Sequence, residues 1–155
     1  MTTYYGQCNC SKVKFICTGE PIFTQYCHCN KCREIASISA NAQDKVGYSY
    51  TAAYLTDNFS IMSGESNIER IIRNTATLLL CSSCKSLLYG IALDPAKQGG
   101  IGINANNFNF NNNTPASFKP VRHIWYTNRT VEFNDNLPKF KDAPKEQFGS
   151  GELLE

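Results

Sequence analysis

Residues 27–32 read Cys-His-Cys-Asn-Lys-Cys, which places three cysteines within six consecutive positions of a 155-residue chain. Four further cysteines form two close pairs, a C-x-C pair at Cys8 and Cys10 and a C-x-x-C pair at Cys81 and Cys84. Cysteines spaced in this way are typical of metal ligands. The pattern therefore predicts a small domain whose fold depends on bound metal.

The two close pairs suit one closed zinc site. Zinc bound by four cysteines needs its sulfurs in a tetrahedron. A C-x-x-C turn directs both sulfurs inward, and a C-x-C pair in an extended segment has both side chains on one side of the strand. We therefore group Cys8, Cys10, Cys81 and Cys84 as a structural zinc site. It would join the N-terminal segment to a distant hairpin and add metal-binding energy to folding.

The cysteines of residues 27–32 supply only three sulfurs. Three protein ligands and an open position are typical of catalytic zinc, and a thiol substrate could fill that position. Two alternatives stay open from the residues alone. One is a second structural zinc closed by Cys17, His28 or His123, and the other is a group that binds no metal.

For the other residues near these motifs we first expect roles that do not involve binding the metal. Cys17 alternates with Phe15 in a β-type run, so it is expected to be a buried strand cysteine. His28 lies between two cysteines, so its side chain should point away from their metal. His123 is expected to be a core histidine. Arg33 would either hold a substrate carboxylate or face solvent.

Composition and charge limit the classes of protein. Hydrophobic residues make up 42% and charged residues 18%, which favours one packed domain, expected at residues 1–145 with a loose tail at 146–155. The net charge is +2, falling to near −1 with two zinc ions on seven thiolates, and there is no basic stripe; nucleic-acid binding is not expected.

The expected compartment is the cytoplasm. No apolar run approaches the ~20 residues of a membrane span, and the first residues do not read as a signal peptide. Thiols stay reduced in the cytosol, so the eight cysteines favour metal binding over disulfides. The alternative is a secreted scaffold held by disulfides.

Short β-type runs separated by Gly, Asn, Asp and Pro dominate the chain and predict a mostly β fold. Residues 77–81 and 87–93 flank the C-x-x-C turn as a hairpin, and residues 33–39 are the best candidate for a short helix. Residues 104–113 are rich in Asn and contain two Phe. They predict a flexible polar loop or, alternatively, a loop that lies beside a cleft and covers apolar surface.

Five segments in this order resemble a known family. They are Gly6-Gln7-Cys8-Asn9-Cys10, Cys27-His28-Cys29-Asn30-Lys31-Cys32-Arg33, Cys81-Ser82-Ser83-Cys84, His123-Ile124-Trp125 and Leu137-Pro138-Lys139-Phe140. Together they resemble the glutathione-dependent formaldehyde-activating enzyme family, which also contains centromere protein V.

The resemblance implies a tent-like zinc-binding β domain built from small antiparallel sheets, similar to a mammalian chaperone-like Rab exchange factor. It implies addition of glutathione to formaldehyde, which gives S-hydroxymethylglutathione and is classed as a carbon–sulfur lyase activity. The family's structural zinc takes Cys8, Cys10, Cys81 and Cys84, and its catalytic zinc takes Cys27, Cys29 and Cys32. Arg33 becomes the candidate residue for binding a glutathione carboxylate. The competing hypothesis is a zinc-stabilised binding or chaperone-like module without catalysis.

The sequence departs from the family at two places. Lys85 follows the C-x-x-C turn where the family often has Gly, which predicts a positive φ at this position. Residues 34–38 read Glu-Ile-Ala-Ser-Ile where the family often has a Gly. The second departure lies beside the proposed open site and bears on the identity of the substrate.

Overall fold

A computed structural model describes residues 1–154 of the chain. The structure is mostly β, as predicted, and in these residues it has one α-helix, α1 (Asn30–Ile38). None of the helices in this part of the chain is long and apolar enough to cross a membrane. The strands are β1 (Thr3–Gln7), β2 (Lys14–Thr18), β3 (Phe23–Cys27), β4 (Ser49–Leu55), β5 (Phe59–Ser63), β6 (Ile68–Arg73), β7 (Ala76–Cys81), β8 (Leu87–Ala92), β9 (Gly100–Asn104) and β10 (His123–Ile124). Single turns of 3-10 helix lie at Ala42–Asp44, Thr56–Asn58, Glu65–Asn67, Pro95–Lys97, Ala105–Asn107, Ala116–Phe118, Tyr126–Asn128 and Lys145–Gln147.

The strands form two sheets. One is an antiparallel sheet in the order β1-β2-β5, and the other has seven strands in the order β10-β3-β4-β9-β8-β7-β6. Neighbours in the large sheet are antiparallel except β10 and β3, which are parallel. Strands β7 and β8 are the hairpin that the sequence predicts around the C-x-x-C turn.

The main core contains residues from both sheets. Phe15 and Cys17 of β2 are fully buried while Lys14 is exposed, which confirms the alternation expected of this strand. They belong to one buried cluster with Tyr54 of β4 and Ile103 of β9. Burial raises the pKa of the Cys17 thiol to about 12, so this cysteine stays a protonated core residue.

Helix α1 packs on the large sheet next to the hairpin. Ile35 and Ile38 of the helix contact a second buried group, formed by Leu78, Leu80 and Leu87 of β7 and β8. This packing fixes the start of the helix, and with it the cysteines of residues 27–32, relative to the sheet.

The Asn-rich segment after β9 contributes to the core. Phe108 is 6% exposed, and its ring stacks on that of Phe110 at a centroid distance of 5.9 Å. Both rings contact Phe118, at 4.8 and 5.1 Å. Of the two interpretations of residues 104–113, the packing supports the loop that covers apolar surface.

Backbone hydrogen bonds connect the C-terminal segment to the chain before it. The Lys141 N–H donates to the Glu152 carbonyl at 2.9 Å, and the Leu154 N–H donates to the Lys139 carbonyl at 2.8 Å. The domain boundary at residue 145 and the looseness of residues 146–155 in solution stay predictions, which limited proteolysis tests.

Candidate functional site

The four cysteines of the two close pairs meet between β1 and the β7–β8 hairpin. Their sulfur atoms all lie within 4.8 Å of one another. The Cys8 and Cys10 sulfurs are 3.6 Å apart, and those of Cys10 and Cys81 are 3.7 Å apart. Sulfurs at about 2.3 Å from a tetrahedral zinc ion would be about 3.8 Å apart, so this donor set fits zinc. A disulfide would need about 2.05 Å, and all eight cysteines are free.

Hydrogen bonds reach two of the sulfurs in this cluster and favour the thiolate form of Cys84. The Asn67 side-chain amide donates to the Cys81 sulfur at 3.2 Å, and the Ser86 hydroxyl lies 3.0 Å from the Cys84 sulfur. Burial opposes ionisation of Cys84, but the hydrogen bonds from Ser86 outweigh it and lower the pKa of this thiol to about 6. A thiolate is the form that binds a metal ion.

Lys85 confirms the backbone conformation that its position predicts. Its φ is 59°, in the left-handed region, and its N–H donates to the Cys81 carbonyl at 2.8 Å to close the turn. Its ammonium forms an exposed ion pair with Glu69 at 2.9 Å. The chain therefore keeps the turn without glycine, and the left-handed conformation is strained for a residue with a Cβ.

The other three cysteines meet where β3 ends and α1 begins. The Cys27 and Cys29 sulfurs are 3.5 Å apart, and the three sulfurs lie within 4.8 Å of one another. Cys29 is the N-cap of α1, and its sulfur accepts a hydrogen bond from the Cys32 N–H at 3.2 Å. This cap starts the helix at Asn30, three residues before the predicted start. The prediction began too late because cysteine is not among the usual N-cap residues.

Within this cluster the negative charge belongs on Cys29. Hydrogen bonds from the Cys27 and Cys32 thiols, helped by backbone N–H groups of the first helical turn, lower the pKa of the Cys29 thiol to about 2. Because Cys27 donates to Cys29, its own pKa is raised well above the usual value. The positive end of the helix dipole favours an anion at the same place.

Within residues 1–154 this cluster contains no fourth metal-ligating side chain. Cys17 is buried in the main core on β2, and His28 and His123 bond to each other. The residues considered for a closed second site are therefore used elsewhere in the fold.

A hydrogen-bonded chain runs from the buried His28 through the buried His123 to Asp135 near the surface, and sequence reasoning found only its histidines. His28 Nε2 lies 2.9 Å from His123 Nδ1, and His123 Nε2 lies 2.9 Å from an Asp135 oxygen. Lys139 binds the other Asp135 oxygen at 2.7 Å. Burial opposes ionisation of Asp135, but Lys139 and His123 outweigh it and hold the pKa of this carboxyl at about 2.

This chain fixes the tautomers of both histidines. Because the Asp135 carboxylate accepts from His123 Nε2–H, His123 Nδ1 accepts from His28 Nε2–H. His28 Nδ1 is then an acceptor, and it is buried without a partner. Burial, with the nearby His123, lowers the pKa of His28 to about 4, so the imidazole is neutral.

A cleft with a volume of about 270 Å³ lies beside Cys32. Its walls come from α1, β4, β8 and β9, and are mostly apolar. Ser49 and Asp44 supply polar groups to the lining. The Ser49 hydroxyl is buried beside the Cys32 thiol and forms no regular hydrogen bond.

The Asp44 carboxylate is buried at this cleft, with 3% exposure, and is held by amides. Asn104 Nδ2 donates to one oxygen at 3.0 Å and Asn106 Nδ2 donates to the other at 2.8 Å. In sequence these residues are only part of an Asn-rich stretch, and no local signal links them to Asp44.

Arg33 lies away from the cleft lining. Its Nη2 donates to the Asn30 side chain within the same helix, while its Nε is buried and has no partner. The expected role of Arg33 in binding a substrate carboxylate stays a prediction.

Helix α1 connects the surroundings of the two clusters. Its first end is capped by Cys29. Past its last residue, the Ala40 N–H donates to the Lys85 carbonyl at 2.9 Å, and the Ser39 hydroxyl accepts from the Leu87 N–H at 3.0 Å. Both ends of one short helix are therefore held by elements that carry the cysteines.

The family model described as "Glutathione-dependent formaldehyde-activating enzyme" matches residues 3–128, a range that contains both clusters and His123. The chain belongs to this family. The match confirms the resemblance seen in the sequence. No curated protein matches the chain.

Among solved structures, the chain is similar to the crystal structure of a Rhodobacter sphaeroides protein determined by structural genomics. The TM-score is 0.50 at 15% sequence identity, and the alignment covers 72% of this chain and 91% of that one. At this identity the likeness concerns the fold alone.

Proposed function

We propose that the chain is a zinc-dependent carbon–sulfur lyase that joins a thiol to an aldehyde at Cys27, Cys29 and Cys32. The substrates that family membership supports are glutathione and formaldehyde, which give S-hydroxymethylglutathione. The observation that carries the proposal is the convergence of three sulfurs beside a cleft without a fourth protein ligand in residues 1–154. Three protein ligands and a free position are typical of catalytic zinc.

The residues of the cluster fit a bound zinc ion, because they offer three sulfur donors and because the Cys32 N–H donates to the Cys29 sulfur. Zinc held there would supply Lewis acidity that lowers the pKa of a coordinated thiol. Cys29 is oriented by the Cys32 N–H at 3.2 Å, so folding sets the direction of this sulfur. The walls of the cleft beside the reacting position are mostly apolar and offer water few hydrogen-bond partners.

The bond changes of the reaction assign a role to Ser49. The thiol sulfur forms a bond to the carbonyl carbon, the C=O π bond breaks, and its electron pair passes to oxygen, which takes up the thiol's proton. The unpartnered Ser49 hydroxyl lines the cleft, and we assign it as the hydrogen-bond donor to this oxygen. The reverse reaction breaks the C–S bond.

The second zinc ion in this proposal is structural and is held by Cys8, Cys10, Cys81 and Cys84, which makes two zinc ions per chain. Its donor set is closed, with four sulfurs and no position for a substrate. A cytoplasmic location is part of the same proposal, because eight free cysteines suit a reducing compartment.

Metal counting and cobalt substitution test the proposal. Fully loaded protein should contain two zinc ions per chain by elemental analysis. A zinc content of zero together with disulfides in mass spectrometry would contradict the proposed metal sites. In the cobalt-substituted protein, glutathione should change the visible spectrum because a new sulfur enters the coordination sphere. No change at millimolar glutathione favours the binding-module hypothesis.

Arg33 has its own test within this titration. If its guanidinium binds a glutathione carboxylate, Arg33→Ala should weaken the glutathione-induced spectral change. Arg73→Ala is a matched control, because Arg73 is an exposed residue whose guanidinium bonds to the neighbouring Ile72 carbonyl. An unchanged titration in Arg33→Ala would return Arg33 to a solvent-facing role.

A further inference from the structure

The cleft beside Cys32 is much larger than formaldehyde requires. Its volume is about 270 Å³, whereas a cavity of about 10–15 Å³ on the same measure already holds one water molecule. Formaldehyde has only two non-hydrogen atoms. If formaldehyde were the only molecule bound, water would occupy most of the cleft, which is unfavourable against apolar walls.

The walls are chemically suited to an apolar group. Helix α1 contributes Ile35 and Ala36 on the same side as Cys32, and β8 contributes Ala92. Leu78 and Leu87 of the β7–β8 hairpin add aliphatic surface, and Tyr48 adds an aromatic ring. An apolar ligand group that covers these surfaces is stabilised by the burial of apolar area, and an aromatic group is stabilised further by packing on another ring.

The charges at the cleft oppose glutathione as its occupant. No Lys, Arg or His of residues 1–154 lines it. The buried Asp44 carboxylate has amide partners and no cation within 4 Å among the same residues. Glutathione has two carboxylates and one ammonium, and its glycyl carboxylate has no cation of its own beside it. Placing that carboxylate beside Asp44 and apolar walls would bring like charges together without compensation.

From these observations we propose that the aldehyde handled at the three-cysteine cluster has an apolar, ring-sized substituent, and that this substituent occupies the cleft. The inference rests on the proposed function, because it takes thiol addition at that cluster as given. The thiol sulfur bonds to the aldehyde carbon, the carbonyl oxygen takes the thiol's proton, and the substituent stays seated against α1 and β8. Glutathione then extends away from the cleft.

A comparison of two aldehydes tests the inference. With zinc-loaded protein and glutathione, kcat/KM for phenylacetaldehyde should exceed that for formaldehyde at least tenfold. Ala36→Leu and Ala92→Leu, which fill the cleft from two different walls, should each lower the phenylacetaldehyde-to-formaldehyde ratio at least tenfold. Ala40→Leu, the same substitution at an exposed residue outside the lining, should leave the ratio unchanged. A kcat/KM for formaldehyde that equals or exceeds that for phenylacetaldehyde would overturn the inference.

A binding measurement separates this inference from the proposed function. 2-Phenylethanol has the same carbon skeleton as phenylacetaldehyde and cannot form a thiol adduct. Calorimetry should detect its binding to the wild-type chain, and at least tenfold weaker binding to Ala36→Leu and Ala92→Leu. Absence of binding to wild type would overturn the inference whatever the activity. Binding without turnover of either aldehyde would support the apolar cleft and overturn the proposed lyase function.

Discussion

His28 and His123 lie 95 residues apart in sequence, yet their imidazoles share a hydrogen bond of 2.9 Å in the interior. Both side chains are fully buried. His28 stands between two cysteines of the three-cysteine cluster, so this bond connects that cluster to β10 and, through Asp135, to the segment after it.

The first prediction concerns this bond. His123→Leu leaves the His28 Nε2–H buried without an acceptor, so the free energy of unfolding should fall by about 1–3 kcal/mol in urea titrations of zinc-loaded protein. In the double variant with His28→Leu, no orphaned donor remains, and the total loss should be smaller than the sum of the two single losses. Additive losses would show that the histidines act independently.

The second prediction is a pH dependence. Burial lowers the pKa of His123 despite the opposing effect of Asp135. An unfolded histidine titrates near 6.5, so below about pH 6.5 the unfolded chain binds more protons than the folded chain. Stability is therefore complete above that pH and declines as the pH falls.

His123→Leu should flatten this decline. The measurement is the difference in unfolding free energy between wild type and variant, taken at each pH from 7.5 to 5. Acid effects on the cysteine clusters are common to both proteins and cancel in the difference. A difference that does not change with pH would contradict the role given to His123.

The third prediction distinguishes the two proposed metal sites. The four-cysteine site joins segments 71 residues apart, so Cys84→Ser should lower the melting temperature severely or give insoluble protein. Cys29→Ser affects a site within six residues and keeps a good N-cap on α1. It should give folded protein with about one zinc ion and no thiol binding. If Cys29→Ser unfolds and Cys84→Ser folds well, the two assignments are reversed.

The fourth prediction concerns the turn after Cys84. Lys85→Gly removes the left-handed strain at φ 59° and should raise the unfolding free energy by about 1 kcal/mol. Lys85→Ala keeps the strain and removes the exposed ion pair with Glu69, so it should change stability by less than about 1 kcal/mol. A destabilised glycine variant would show that the lysine side chain matters more than the turn.

The fifth prediction tests Ser49. If its hydroxyl donates to the oxygen that develops charge, Ser49→Ala should lower kcat about 100-fold and leave the cobalt spectrum with glutathione unchanged. Ser117→Ala is the matched control, because the Ser117 hydroxyl is also buried without a partner but lies outside the cleft lining. Equal effects of the two substitutions would indicate a general loss of packing.

The cysteine grouping could be predicted from sequence because a tetrahedral metal site imposes its own geometry on short motifs. The burial of Phe15 and Cys17 could also be predicted, because the alternation of a strand depends only on residues two positions apart. The cleft could not be predicted, because its walls meet only once β9 pairs with β4 and β8. Asp135 was missed for the same reason: its partner His123 is fixed by the tertiary fold.

Because both ends of α1 are tethered to cysteine-bearing elements, the number of residues in this helix matters more than most of their identities. One inserted residue would turn everything after it by about 100° and advance it by about 1.5 Å. Ser39 and Ala40 would then miss Leu87 and Lys85. We therefore expect selection on this segment to act on its length: substitutions on the outer face of the helix should be tolerated, whereas insertions and deletions between Cys29 and Ser39 should not.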